Sequence, residues 1–393
     1  MEHLEDSVIN GGVNGTRDAI NFLRSLRDML AGNTKSPVNT TVKWDGAPAI
    51  FAGIDPSDGK FFIAKKGIFN KNPKVYKTPA DIDADTSGDL AVKFKLALKY
   101  LPELGIKGVI QGDFLYSYDT LNVEEIDGEK VVTFHPNTIV YTVPVDSALG
   151  RTLRKSKLGI VWHTRYDGDS FETMQAVFGQ NISTKLKKTA AVWHTDATFK
   201  DVSGKATMTL AETAEITKVL SEAGKLFRTL DAGMLNQIAA SDELKMRIKT
   251  HFNTKVRAGQ RISNPTAHAR DLVNYIAGVY DKEIAGKKTA AGKSGWETKK
   301  KEAMRFFSNA NFRSLVTMFE MMNLIIEAKE IIIRKMDAAS SIRTLLKTAN
   351  GFEVTAPEGY VAIDHKGGAV KLVNRLTFSR ANFSADVVKG WQR

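Results

Sequence analysis

Cysteine is absent from this chain, so disulfides and thiolate metal sites are excluded and the redox compartment is left open. Membrane-length apolar runs are absent too. The most apolar stretch, Leu324 to Ile333, is interrupted by Glu327, Lys329 and Glu330, which argues against a membrane span. The opening Met1-Glu2-His3-Leu4-Glu5-Asp6 lacks the basic flank and apolar centre of a signal peptide, so a cytoplasmic protein is expected. Negative charge is the scarcer sign. Forty-four Asp and Glu face 56 Lys and Arg, a net +12 that favours a polyanion such as nucleic acid over an acidic small molecule, with a merely basic surface as the bland counterpart. What is present is an ordinary globular composition. With 393 residues, 42% of them apolar, the chain can fill two or three domains, or one large domain carrying an insertion.

Hydrophobic spacing divides the chain into three textures. A Gly-rich turn, Asn10 to Gly15, precedes a helix that Thr16 can cap, with Ile20, Leu23, Leu26 and Leu30 at helical spacing; it is expected to pack on the sheet that follows. From 40 to about 200 the runs are short and β-rich, with one amphipathic helix near 89 to 101. From about 205 to 350 the spacing is helical, clearest in the stripe from Leu315 through Met318, Phe319, Met322 and Ile325 to Met336. Within it, Ala285 to Ser294 reads as a basic loop (Lys287, Lys288, Lys293) entering a basic helix at Lys299, Lys300 and Lys301, either a solvated face or a phosphate-contacting one. At Gly351 the β texture returns with Tyr360 to Ile363 and Ala369 to Val373, a hairpin that either resumes the first sheet domain or forms a separate unit. The domain reading is therefore 1–204 and 351–393 around a helical insertion, 205–350.

The first β run holds Lys43-Trp44-Asp45-Gly46, expected as a strand, a tight turn at Asp-Gly and a second strand through Ile50 and Phe51. An amine held at such a mouth attacks phosphorus or carbonyl centres when burial or nearby cations lower its pKa from about 10.4. Alone, Lys-x-Asp-Gly is a weak signal, and its bland reading is a turn with a solvated lysine. Four more stretches follow in strand contexts: Ala64-Lys65-Lys66-Gly67, Gln111-Gly112-Asp113, Pro357-Glu358-Gly359-Tyr360-Val361 and Val370-Lys371-Leu372-Val373. Cations around a triphosphate and an in-line nucleophile are what phosphoryl chemistry requires.

In that order the stretches resemble the covalent nucleotidyltransferase superfamily, which comprises ATP-dependent DNA ligases, RNA ligases and mRNA-capping guanylyltransferases. The resemblance covers residues 40–200 and 351–385 and is silent on the helical region. It implies an α+β fold of antiparallel sheets flanked by helices, interrupted here by a large all-α insertion. It implies Lys43 as the nucleophile that forms lysyl-AMP, with Asp45, Glu358 and Lys371 completing the catalytic set. Gly46, Lys66 or its neighbour Lys65, and Asp113 would contact the nucleotide, Asp113 at the ribose. Trp162, in Gly159-Ile160-Val161-Trp162-His163, would stack on the purine. Glu358 and Asp45 would work with Mg²⁺ or Mn²⁺, and Lys371 would touch the α-phosphate of ATP.

Departures narrow the resemblance. Pro48 stands where DNA ligases keep arginine, and Lys66-Gly67 and Glu358-Gly359-Tyr360-Val361 look like one RNA ligase group. Val373 replaces the second lysine of the last motif, leaving Arg375 as its only nearby substitute, and the twenty residues after Val373 leave no room for a C-terminal OB domain. The expected function is a polynucleotide ligase joining 5′-phosphate to 3′-hydroxyl ends, RNA before DNA. Its alternatives are an ATP-dependent DNA ligase and an inactive nucleic-acid-binding scaffold. The partner is the nucleic-acid end, with no membrane; oligomeric state is left open. Val161-Trp162-His163-Thr164 recurs as Val192-Trp193-His194-Thr195, expected as neighbouring strands; without cysteine or carboxylate at ligand spacing, their histidines do not suggest a metal site. Phe134-His135-Pro136-Asn137 is expected to turn.

Overall fold

The structure is a computed structural model that describes residues 2–32, 39–178, 180–197, 207–307, 309–338, 342–348, 351–355, 359–363, 369–377 and 386–391. Its strands are β1 (Glu2–His3), β2 (Asn39–Lys43), β3 (Ala49–Ile54), β4 (Phe61–Ala64), β5 (Val109–Ser117), β6 (Asn122–Ile126), β7 (Glu129–Phe134) and β8 (Ile139–Pro144). There follow β9 (Leu158–Asp167), β10 (Gln175–Phe178), β11 (Val192–Asp196), β12 (Arg343–Thr348), β13 (Gly351–Val354), β14 (Gly359–Ile363) and β15 (Ala369–Leu372). The helices are α1 (Ser7–Leu30), α2 (Pro79–Asp85), α3 (Gly88–Tyr100), α4 (Ala148–Lys155) and α5 (Leu210–Phe227). The remainder are α6 (Ala232–Ala240), α7 (Asp242–Arg257), α8 (Pro265–Ala285), α9 (Ala290–Phe306) and α10 (Asn309–Asp337). The fold is mixed α+β with several sheets, and no described helix is long and apolar enough to cross a membrane.

Two compact units divide the chain. The sheet unit is Val38–Gly204, Ala339–Ala369 and Ser384–Arg393; the helical unit is Met1–Pro37, Lys205–Ala338 and Val370–Phe383. In the sheet unit, β10-β9-β5-β3-β4 form one sheet with β11 added beside β9, and β13-β12-β8-β7-β6 form another. On the first, alternation sends Ile50, Ile63, Ile110, Phe114, Ile160 and Trp162 to one face, where Phe94, Ala97 and Leu101 of the α3 region close a core. Its opposite face gathers Phe51, Phe62, Ala64, Ile68 and Val109 beneath Tyr166 and Phe171.

β9 and β11, the recurring tetrapeptides, are indeed parallel neighbours, but the register is offset so that Val192 lies opposite Leu158 and Asp196 opposite Trp162. The expected hairpin at Asp45-Gly46 does not form. β2 pairs with β14 while β3 pairs with β4 and β5, so the Lys-x-Asp-Gly segment is a crossing between two sheets, with a cis Ala47-Pro48 peptide. The β texture also resumes earlier than expected, at β12 rather than Gly351.

α1 belongs with the helices, packing on α5, α6 and α10 rather than on the sheet. Its apolar stripe and that of α10 supply Leu23, Leu26, Met318, Met322, Ile325 and Ile332 to a buried core. Lys329 lies on the same α10 stripe, 1% exposed, and donates to Glu5 Oε2 at 2.6 Å. Of the Ala285 to Ser294 stretch, expected as a loop, Ala285 ends α8 and the second half, from Ala290, is the start of α9, capped by Thr289.

Candidate functional site

Lys43 ends β2, and its register partner across the β2–β14 ladder is Gly359, the residue after Glu358 in the sequence. Glu358 itself lies outside the described residues. Two residues beyond Lys43, the Asp45 side chain is 4% exposed and accepts three hydrogen bonds: from Asn137 Nδ2 (2.6 Å), Thr138 N (2.5 Å) and Ile139 N (2.8 Å). The Asp45 amide donates to the Tyr141 hydroxyl at 2.7 Å. Such a carboxylate is engaged by three N–H groups in a buried setting, an arrangement that favours holding backbone over ligating a metal. Asp45 clips the sheet crossing that follows Lys43 onto the entry of β8.

Gly46 then passes directly over Asp113. A Cβ on Gly46 would stand 2.5 Å from Asp113 Cβ, so only glycine admits this approach. Backbone bonds from Ala47 N to Phe114 O and from Phe114 N to Pro48 O, each 2.9 Å, hold the crossing to β5. Asp113, the ribose-contacting candidate, is therefore packed against the Lys43–Gly46 motif. Asp113 Oδ2 is 3.7 Å from His163 Nε2, and His163 Nδ1 is 2.7 Å from Thr164 Oγ1.

Trp162 does not stack on anything in this site. It is fully buried among Ile160, Phe114 and Val192 in the core, opposite Gly112. Plain alternation along β9 puts Trp162 on the core face with Leu158 and Ile160, and a β-bulge follows it: Gln111 pairs with Thr164 but Gly112 pairs with Trp162, leaving His163 as the extra residue on β9. The half-buried His163, at the bulge, is the β9 side chain that approaches Asp113.

Of the two adjacent lysines, Lys65 is bound to Asp85, with Nζ–Oδ2 at 2.7 Å, while Lys74 and the Tyr76 hydroxyl take the other contacts of that carboxylate. Hydrogen bonds from those three groups hold Asp85 well below the usual carboxylate range. Lys66, exposed in the short 3₁₀ turn Lys66–Phe69, is the lysine left to face a ligand.

Lys371 lies on β15 of the helical unit, and its neighbour Arg375 is committed elsewhere. Arg375 is 8% exposed, with Nη1 2.7 Å from Asp6 Oδ1 and 3.6 Å from Glu5 Oε1, Nη2 2.6 Å from Asn253 Oδ1, and its guanidinium over Phe252. A guanidinium so enclosed cannot replace the missing lysine of the last motif. Lys329, His3 and Arg375 together keep Glu5 ionised despite complete burial, lowering its pKa to about 2.

Sequence reasoning missed the 137–141 segment. Asn137, Thr138, Ile139 and Tyr141 grip Asp45, and the C-terminal Lys389 donates to Thr138 Oγ1 at 3.2 Å. The only available signal was the Asn137-Thr138 pair at a strand entry, which equally describes a turn. Among the described residues no group of three or more His, Cys, Asp or Glu is arranged to hold a metal ion.

A family profile matches residues 1–387, and its description is Family of unknown function (DUF6267). No curated protein and no solved structure matches the chain.

Proposed function

The chain belongs to the DUF6267 family, and we propose that it is an ATP-dependent polynucleotide ligase working through lysyl-AMP at Lys43, with RNA ends preferred over DNA. The observation that supports this best is the convergence on the Lys43–Gly46 crossing: Gly359 opposite Lys43, Asp113 beneath Gly46 and His163 beside Asp113. These positions are scattered along the chain, and their sequence contexts resemble successive nucleotidyltransferase motifs.

In this reading the Lys43 amine attacks the α-phosphorus of ATP. A P–N bond forms, the bond to pyrophosphate breaks, and the amine proton passes to solvent. Asp113 accepts from the ribose hydroxyls, and His163 takes the place expected of Trp162 against the purine. Lys66 supplies positive charge at the phosphates. A polynucleotide 5′-phosphate oxygen then takes the adenylyl group from Lys43, and a 3′-hydroxyl displaces AMP. Any Mg²⁺ would depend on Glu358 rather than on Asp45. The preference for RNA rests on Pro48 and on the RNA-ligase-like sequences Lys66-Gly67 and Glu358-Gly359-Tyr360-Val361.

One observation favours a second reading, a scaffold that binds nucleic acid without adenylation: burial of Arg375 leaves the last motif a lysine short. One assay separates the two. Protein incubated with α-labelled ATP and magnesium should acquire an acid-labile label that Lys43→Ala abolishes; the labelled enzyme is then offered matched nicked strands with ribose or deoxyribose at the 3′ end. An unlabelled wild type, or equal labelling of the variant, removes the enzyme reading. Sealing of DNA as fast as RNA removes the substrate preference alone.

A further inference from the structure

Between Lys282 and Arg305 the sequence carries eight lysine and arginine residues against three glutamates, a local excess of five positive charges out of the chain's net twelve. α9 occupies most of this stretch, and none of its described residues is buried. What holds it is a narrow seam on α8. Trp296 meets Tyr280 at 6.2 Å between ring centroids, Lys287 and Lys299 lie over the indole at 4.9 and 4.5 Å, and Lys300 pairs with Asp281 at 2.5 Å. Lys287 also pairs with Glu283 at 3.2 Å. These contacts use one side of the helix.

The other side is different. Lys288, Lys293, Lys301 and Arg305 are exposed, and Lys293, Lys301 and Arg305 follow one i+4 row, in which Glu297 is the single carboxylate. With a rise of about 1.5 Å per residue, the cations of this row are spaced by roughly 12 and 6 Å along the axis. A solvated helix normally mixes both signs, because opposite charges one turn apart stabilise it and like charges do not. α9 buries nothing, has Gly292 and Gly295 in its first two turns, and sets Lys301 and Arg305 one turn apart with no carboxylate between them in the row. With five positive charges in excess over residues 282–305, such a helix gains stability when a polyanion neutralises its outer cations.

We propose that the outer face of α9, with Lys288 at its entry, binds the phosphate backbone of a polynucleotide. The surface rests on the polynucleotide half of the function proposed above and not on the chemistry at Lys43. Lysines on an exposed helix contact phosphates as point charges, so the surface binds strands without reading sequence.

The test uses the full chain and a fluorescein-labelled single-stranded RNA, with the matching DNA, in anisotropy titrations across a salt series. Three phosphate contacts give a slope of log K against log salt of about −2 on single strands. Lys293→Glu, Lys301→Glu and Arg305→Glu combined should flatten that slope and weaken binding at low salt more than tenfold, and the corresponding Gln variant should fall between. All three positions are exposed, and an unchanged circular-dichroism spectrum checks that the helices persist. Equal slopes and affinities for wild type and both variants would overturn the proposal, as would absence of binding to either strand at low salt, which would leave an acidic protein as the partner. Labelling of Lys43 is followed in the same samples. If binding depends on α9 but no chain is labelled, the ligase reading fails and the surface stands; if all chains are labelled and binding ignores α9, the surface fails alone.

Discussion

Lys43 and Gly359 stand directly opposite one another in the β2–β14 ladder, although they come from opposite ends of the chain. Gly359 has φ of +132°, a backbone conformation that residues with a Cβ avoid. Gly359→Ala should therefore disturb the end of β2 where Lys43 sits. We expect a destabilisation of about 1–3 kcal/mol in urea unfolding and a larger relative loss in Lys43 labelling. Loss of stability with undiminished labelling would show that this pairing does not set the lysine's position.

Asp45 yields a prediction that separates positioning from metal binding. Asp45→Ala strands the amides of Thr138 and Ile139 and the Asn137 side chain in a buried place, at a cost of roughly 3 kcal/mol. Asp45→Asn keeps the shape, and a flip of the Asn137 amide can restore the third bond, so most stability should remain. Titrating magnesium in the labelling assay supplies the contrast. A much raised magnesium requirement in Asp45→Asn, at unchanged stability, would return Asp45 to the metal.

How far the site was legible follows from these residues. Lys43, Asp113 and the Gly359 motif could be picked out because short-range patterns, an Asp-Gly pair or a carboxylate on an apolar strand, survive in one dimension. The crossing between sheets could not, since Asp-Gly signals a reversal of direction but not which strand receives the chain. Most strand runs between 40 and 200 appeared where period-2 alternation put them. The ownership of α1 did not, because its apolar stripe says that a face is buried and not against what. Lys329 illustrates the same limit: a lysine on an apolar stripe is intelligible only once Glu5, far away in sequence, is beside it.

That buried pair gives the third prediction. Lys329→Met removes the cation and leaves Glu5 enclosed, which should destabilise the helical unit by about 3–5 kcal/mol. Adding Glu5→Gln should recover much of the loss, since no buried charge is then left without its partner. A double variant no more stable than Lys329→Met would mean that the pair is not coupled. Arg375→Gln should also lower stability, yet leave Lys43 labelling within about twofold below the unfolding transition, because its guanidinium binds Asp6 and Asn253 rather than a phosphate.

Acid should act on the helical unit through its buried histidines. Burial lowers His268 to about 4 and His3 to about 3, and it lowers His251 despite the carboxylate of Asp271 2.9 Å from its Nε2. An unfolded histidine titrates near 6.5, so between pH 6.5 and 4 the unfolded chain binds protons that the folded one refuses. Stability is therefore full above pH 6.5 and falls as pH drops through this window. Glu5, lowered to about 2, adds a second loss, beginning only below about pH 4.5 as the unfolded carboxyl takes up its proton. Urea midpoints of the full chain should be level from pH 7 to 8 and decline steadily toward pH 4. His268 packs edge-on against Phe319, with ring centroids 4.5 Å apart, so His268→Phe keeps an aromatic ring there and should make that decline shallower. A midpoint that rises on acidification, or a variant as acid-sensitive as wild type, would remove His268 from this account.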